Sequence, residues 1–189
     1  YVFSIMRFNL DTQTLPVFFC VVQPNQSDPN LSVYSITLEY DGKDSDPVTV
    51  GPYYIQWSPE DLSQPVPLAP NQTSDGIQQE VPYYFAYSFS YFLKLINATL
   101  ATAYEDLKGA VPDSPELKNG NAPFFGWNAT SQTATMYCLN NLYNPNNYPF
   151  VKVYFNRALY NIYNSLPAYK LGIDQIYRKE YQLIIDPNS

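Results

Sequence analysis

The 189-residue sequence contains no histidine. That absence removes serine–histidine and cysteine–histidine nucleophilic catalysis and every histidine-ligated metal site. Charge is scarce as well: 14% of residues are Asp, Glu, Lys or Arg, against about 25% in ordinary soluble domains. A surface so short of ions must be covered largely by Tyr, Asn, Gln, Ser and Thr, a composition suited to touching other proteins or glycans. Glycine is limited to 7 residues, and there is no Gly-rich phosphate loop, no G-x-S-x-G elbow and no metal-ligand spacing. Catalysis has no visible apparatus, so an enzyme is the weakest reading and no catalytic or cofactor-binding residue is named. The longest apolar run, Leu15 to Val22, is broken by Pro16 and is far short of the about 20 residues a membrane helix needs. No membrane contact is expected.

The net charge of -7 is unevenly spread. Residues 1–93 carry ten acids against Arg7 and Lys43, whereas residues 94–189 carry eight bases and seven acids. Without a basic stripe, direct contact with a nucleic acid backbone is not expected from this segment. The first residue is Tyr1, which suggests a piece of a longer product. The two cysteines, Cys20 and Cys138, match no zinc or redox spacing and read as small buried thiols, with a long-range disulfide as the alternative. Asn-x-Ser/Thr occurs five times, at Asn25, Asn30, Asn71, Asn97 and Asn128, which keeps a secreted glycoprotein in view.

Strands are predicted at residues 2–10 and 15–22, then at 31–40, where Tyr34, Ile36, Leu38 and Tyr40 alternate with Val33, Ser35, Thr37 and Glu39. Asp41-Gly42 opens a turn, and Val48 to Trp57 supplies the return of a hairpin. Residues 58–82 differ in kind: five prolines, four acids, no Lys or Arg and no aromatic residue. Proline removes ladder donors, so this segment reads as an extended arm or surface loop and not as a central strand. One strong helix follows, its stripe running through Phe85, Phe89, Phe92, Ile96, Thr99, Ala103 and Leu107, with Ser88 or Ser90 as its cap and Gly109 at its end. After a loop at 110–123, short strands are predicted at 124–128, 133–138 and 150–155, a short helix from Asn156 to Leu166, and strands at 168–171 and 181–185. The expectation is a single mainly β domain over residues 1–189, an antiparallel sandwich or jelly-roll-like barrel with one long and one short α-helix inserted.

The densest acidic patch, Asp41, Asp44 and Asp46, is the weak candidate for calcium, because that ion prefers clustered oxygen ligands; a solvated hairpin turn is the plainer reading. Of the 19 tyrosines, Tyr34, Tyr40, Tyr53, Tyr54, Tyr83 and Tyr84 read as core residues whose hydroxyls reach water, and part of the surplus is expected in subunit contacts, where Tyr gives large contact area at low rotamer cost. Trp57 and Trp127 are candidate platforms for stacking on sugars.

The turn-rich β frame, the proline-rich acidic arm at 58–82 and the Asn-, Tyr- and Pro-laden second half, including Tyr83-Tyr84-Phe85-Ala86-Tyr87-Ser88 and Val153-Tyr154-Phe155-Asn156, resemble the shell proteins of non-enveloped viruses. The resemblance implies self-assembly into a virion shell through β-sandwich edges and extended arms, with copies of itself and other shell proteins as partners and a host receptor or glycan as a further contact. The arm's apolar residues Leu62, Val66, Leu68 and Ile77 are the expected interface. Its acids are expected to seek Lys152, Arg157 or Lys170 of a neighbour. The competing reading is a secreted or cell-surface glycan- or protein-recognition module, located outside the cell.

Overall fold

The alternation after Val33 folds into a strand, β2 (Ser35–Asp41), in a computed structural model that describes residues 18–19, 34–42, 45–56, 58, 63, 85–86, 88–171 and 179–185. Ile36, Leu38 and Tyr40 enter the apolar core, and Ser35, Thr37 and Glu39 on the opposite face are buried too. The predicted hairpin is present: β3 (Val48–Tyr54) returns antiparallel to β2, with a bulge between Ile36 and Leu38. Gly51 sits in that bulge at a φ of 110°, where a Cβ would meet the Ile36 carbonyl at 3.1 Å. Only glycine adopts that backbone without strain.

β2 also pairs along its full length with β7 (Phe150–Phe155), more than a hundred residues later, so that Val151, Val153 and Phe155 lie beside Tyr40, Leu38 and Ile36. Adding β8 (Ala168–Lys170) and β9 (Tyr181–Leu183) gives one antiparallel five-stranded sheet in the order β3-β2-β7-β9-β8. Phe18–Phe19 (β1) and Phe85–Ala86 (β4) form a separate short pair. Most of the predicted first two strands lies outside the described residues.

The long helix, α1 (Phe89–Ala110), packs on β2 and β3 and buries Phe92, Ile96, Leu100, Ala103 and Leu107 in the same core as the sheet. It starts one turn later than the apolar stripe suggests. Ser88 is extended, and its hydroxyl accepts the Tyr91 N–H at 3.2 Å, so the chain before it is free to form β4. Its far end carries Lys108 in the last turn, as helix ends favour.

Three short helices occur where one was expected. α2 (Pro115–Asn119) lies in the predicted loop, capped by Ser114 with Pro115 in its first turn, and α3 (Asn140–Tyr143) opens the Asn-rich stretch. α4 (Arg157–Ile162) is capped by Asn156 as predicted but stops short of Leu166. The antiparallel, mainly β frame with a long inserted helix stands. Buried tyrosines elsewhere spend their hydroxyls on backbone: Tyr104 donates to the Leu117 carbonyl and Tyr143 to that of Asn121, each at 2.9 Å, and Tyr91 donates to the carbonyl of Ser58. The deepest hydroxyls thus tie loops to the core.

Candidate assembly surface

A second hairpin, β5 (Phe124–Asn128) with β6 (Thr133–Tyr137), packs on α1, and one polar side chain of that helix, Asn97, serves its backbone. Asn97 accepts the Phe125 N–H at 2.7 Å through Oδ1 and donates from Nδ2 to the Phe125 carbonyl at 2.8 Å. One amide therefore does for Phe125 what a neighbouring strand would do. Below it, the buried Phe125 ring lies 5.1 Å from that of Tyr163. Because Phe125 spends its polar backbone groups on Asn97, alternation along the ladder turns those of its partner Met136, and of Ala134 two residues earlier, away from β5. Among the described residues β6 has no second strand neighbour.

The outward face of this hairpin is aromatic and uncharged. Phe124 and Tyr137 stack across the strands at 5.1 Å although each is about half exposed, at 51% and 50%. The Tyr137 ring also covers Gly126, where a Cβ would stand 2.9 Å from it. On the other, core-facing side of the hairpin, Trp127 stacks on Phe89 at the start of α1 at 5.2 Å. Around the exposed rings lie Asn128, Thr133 and Thr135. The Asn128 side chain holds the turn by accepting the N–H groups of Thr130 and Ser131 at 3.0 and 3.2 Å. Large exposed rings without nearby ions mark a surface that gains by losing water.

The back of the five-stranded sheet is built on ions instead. Glu39 pairs with Lys152 at 3.0 Å and with Lys179, and accepts from Thr49 and Tyr154, each at 3.2 Å. Burial alone would raise the Glu39 carboxyl, but the two lysines hold it below its ordinary value. Lys152 lies above its ordinary value: burial works against its charge, and Asp41 at 2.7 Å and Glu39 outweigh that. Tyr154 is pushed up by its burial and by the Glu39 charge. Thr37 Oγ1, on the same face, is buried without a hydrogen-bond partner among the described residues.

This network accounts for several residues singled out in the sequence. Asp41 is engaged by Lys152, Asp46 is exposed, and Asp44 lies outside the described residues. Among the described residues no group of three His, Cys, Asp or Glu could hold a metal ion. Lys152, expected to meet an acid of a neighbour, is already paired within its own chain, whereas Arg157 is exposed with Glu180 at 3.9 Å and Lys170 is exposed. The arm residues Leu62, Val66, Leu68 and Ile77, together with Cys20 and Trp57, fall outside the described residues. Cys138 is a free thiol pushed up to about 12 by burial. The Asn97 amide is consumed by Phe125, while Asn128 is exposed; Asn25, Asn30 and Asn71 are outside the described residues. Sequence reasoning missed the Phe124–Tyr137 pair. The signal was an aromatic residue at each end of a face otherwise made of Gly126, Asn128, Thr133 and Thr135.

Comparison with known proteins gives the family. Over 127 residues the chain is 31% identical to a protein of Sputnik virophage described as uncharacterized protein V18, covering 66% of this chain and 69% of that one. Its fold is similar to that of a chain in the 3.5 Å cryo-EM structure of the Sputnik virophage, with a TM-score of 0.68 and 20% identity over 95% of this chain. It spans 49% of the length of that chain. Residues 1–188 match the family model described as Sputnik minor capsid protein V18/19. The chain belongs to the Sputnik minor capsid protein V18/19 family, and its role is that of a structural protein of the virion shell.

Proposed function

We propose that the chain contributes contacts and no chemistry to the virion, binding copies of itself and other shell proteins through uncharged surfaces. The observation that carries this reading is the exposed, uncharged Phe124–Tyr137 stack on a hairpin whose β6 has no second strand neighbour among the described residues. The arm at 58–82 supplies the second half of the contact. Its prolines pre-extend it and reduce the ordering entropy that docking must overcome, and its apolar residues return about 25 cal/mol per Å² when buried on a neighbour. Shortening residues 62–70 to a brief Gly-Ser link tests the reading. The subunit should keep its melting temperature and lose assembly. Normal assembly by the shortened chain would refute the arm's role, and an unfolded subunit would show that the segment belongs to its own core.

A further inference from the structure

We infer that the groove at the turn end of the second hairpin is a binding site for a neutral saccharide, a function beyond shell assembly. The groove has a volume of about 390 Å³ and is lined by Gly126, Trp127, Asn128, Thr133, Thr135 and Tyr137. That size falls in the lower part of the range of about 300–1,000 Å³ usual for small-ligand clefts. Among the described residues no carboxylate, lysine or arginine lines it. An acidic sugar, a phosphate or a charged peptide would lose water there without meeting an opposite charge. A neutral ligand rich in hydroxyls has no such cost.

A pyranose ring presents a face of C–H bonds to an electron-rich aromatic ring and surrounds it with hydroxyls, and the groove has groups for both. Tyr137 is the aromatic wall. Phe124 covers one face of its ring at 5.1 Å and does not line the groove, which leaves the other face to a ligand and Phe124 itself to shell contacts. Gly126 makes the room, since a Cβ there would stand 2.9 Å from the Tyr137 ring. Trp127, the platform expected from the sequence, stacks on Phe89 instead. Asn128 and Thr135 are the polar side. The Asn128 Oδ1 accepts the N–H groups of Thr130 and Ser131, which fixes the amide's orientation and leaves both Nδ2 donors without a partner among the described residues. The exposed Thr135 hydroxyl likewise has none among them. Because the turn already holds the amide, little side-chain ordering is left for binding to overcome.

The test is saturation-transfer NMR on the purified full chain, which reads weak binding to a subunit or to an assembly alike. The probes are the methyl glycosides of glucose, galactose, mannose and N-acetylglucosamine, with methyl glucuronide as the charged control. At least one neutral glycoside should receive saturation, most strongly at the ring protons of one C–H face, and the glucuronide should not. Asn128→Asp keeps the acceptor that holds the turn but replaces the two donors by a charge, so the subunit should keep its melting temperature and bind roughly tenfold more weakly. Tyr137→Ala should lose binding and Tyr137→Phe should retain it; if Tyr137→Ala unfolds, Asn128→Asp decides. No saturation of any neutral glycoside would overturn the inference, as would equal binding of the glucuronide or unchanged binding by a folded Asn128→Asp. Binding only after residues 62–70 are shortened would show the groove filled by protein, and would overturn it too.

Discussion

Replacing Asn97 by alanine should loosen the second hairpin on α1, because this one side chain satisfies both backbone groups of Phe125, at 2.7 and 2.8 Å. Phe125 is only 4% exposed, so water replaces the lost amide poorly. A net hydrogen bond is worth about 0.5–1.5 kcal/mol, and a buried group left unpaired costs about 1–3 kcal/mol. Two such groups at a half-buried site give about 2–4 kcal/mol. At roughly 2–4 °C per kcal/mol for a chain of this size, the melting temperature should fall by about 4–16 °C. Asn97→Asp sharpens the test, since a carboxylate still accepts the N–H but opposes the carbonyl. Its deficit relative to the parent should shrink below about pH 4, where an Asp takes up a proton and regains a donor. Amide exchange at Phe125 and calorimetry read the two effects. Parent-like melting of both variants, with unchanged exchange at Phe125, would refute the clamp.

Three further outcomes follow from the core and the ion network. Phe92 is fully buried, so Phe92→Ala should cost about 3–5 kcal/mol in denaturant unfolding. The exposed Lys94→Ala should stay within about 0.5 kcal/mol, and equal effects would contradict the phase of α1. Glu39 lies below its ordinary 4.5, so its contribution is fully present above that pH and is lost as pH falls through the folded value. Glu39→Gln should therefore be less stable than the parent at neutral pH and show a shallower acid loss in pH-dependent melting; parallel acid limbs would contradict the network. Tyr104→Phe should cost about 1 kcal/mol and speed exchange in residues 115–119, because its hydroxyl holds the Leu117 carbonyl; exchange that stayed slow there would contradict the tether.

Periodicity made the regular elements legible. The alternation at 31–40 placed β2, the stripe from Phe85 to Leu107 placed α1 one turn early, and the strands predicted at 124–128, 133–138 and 150–155 are found to within a residue. Partners were not legible, because periodicity says which face is buried and not what covers it. Nothing in the sequence joins Glu39 to Lys152, 113 residues away, or Asn97 to Phe125. The pairing of β2 with β7 brings the first together, and the packing of α1 on β5 brings the second. The short helices escaped for a local reason. α2 and α3 are one turn or little more, too short for a stripe to repeat, and only Ser114 followed by Pro115 signalled the first. The likeness to viral shell proteins rested on a resemblance in the turn-rich β frame, the proline-rich acidic arm and the Asn-, Tyr- and Pro-laden second half. The surface itself was not legible, since Phe124 and Tyr137 become one patch only when β5 and β6 pair.

The central claim is that this chain is built to associate with its own kind, and sedimentation velocity of the purified full-length chain over a wide concentration range tests it most directly. The account predicts a discrete multimer that dissociates when residues 62–70 are shortened. A stable monomer at every concentration would contradict it.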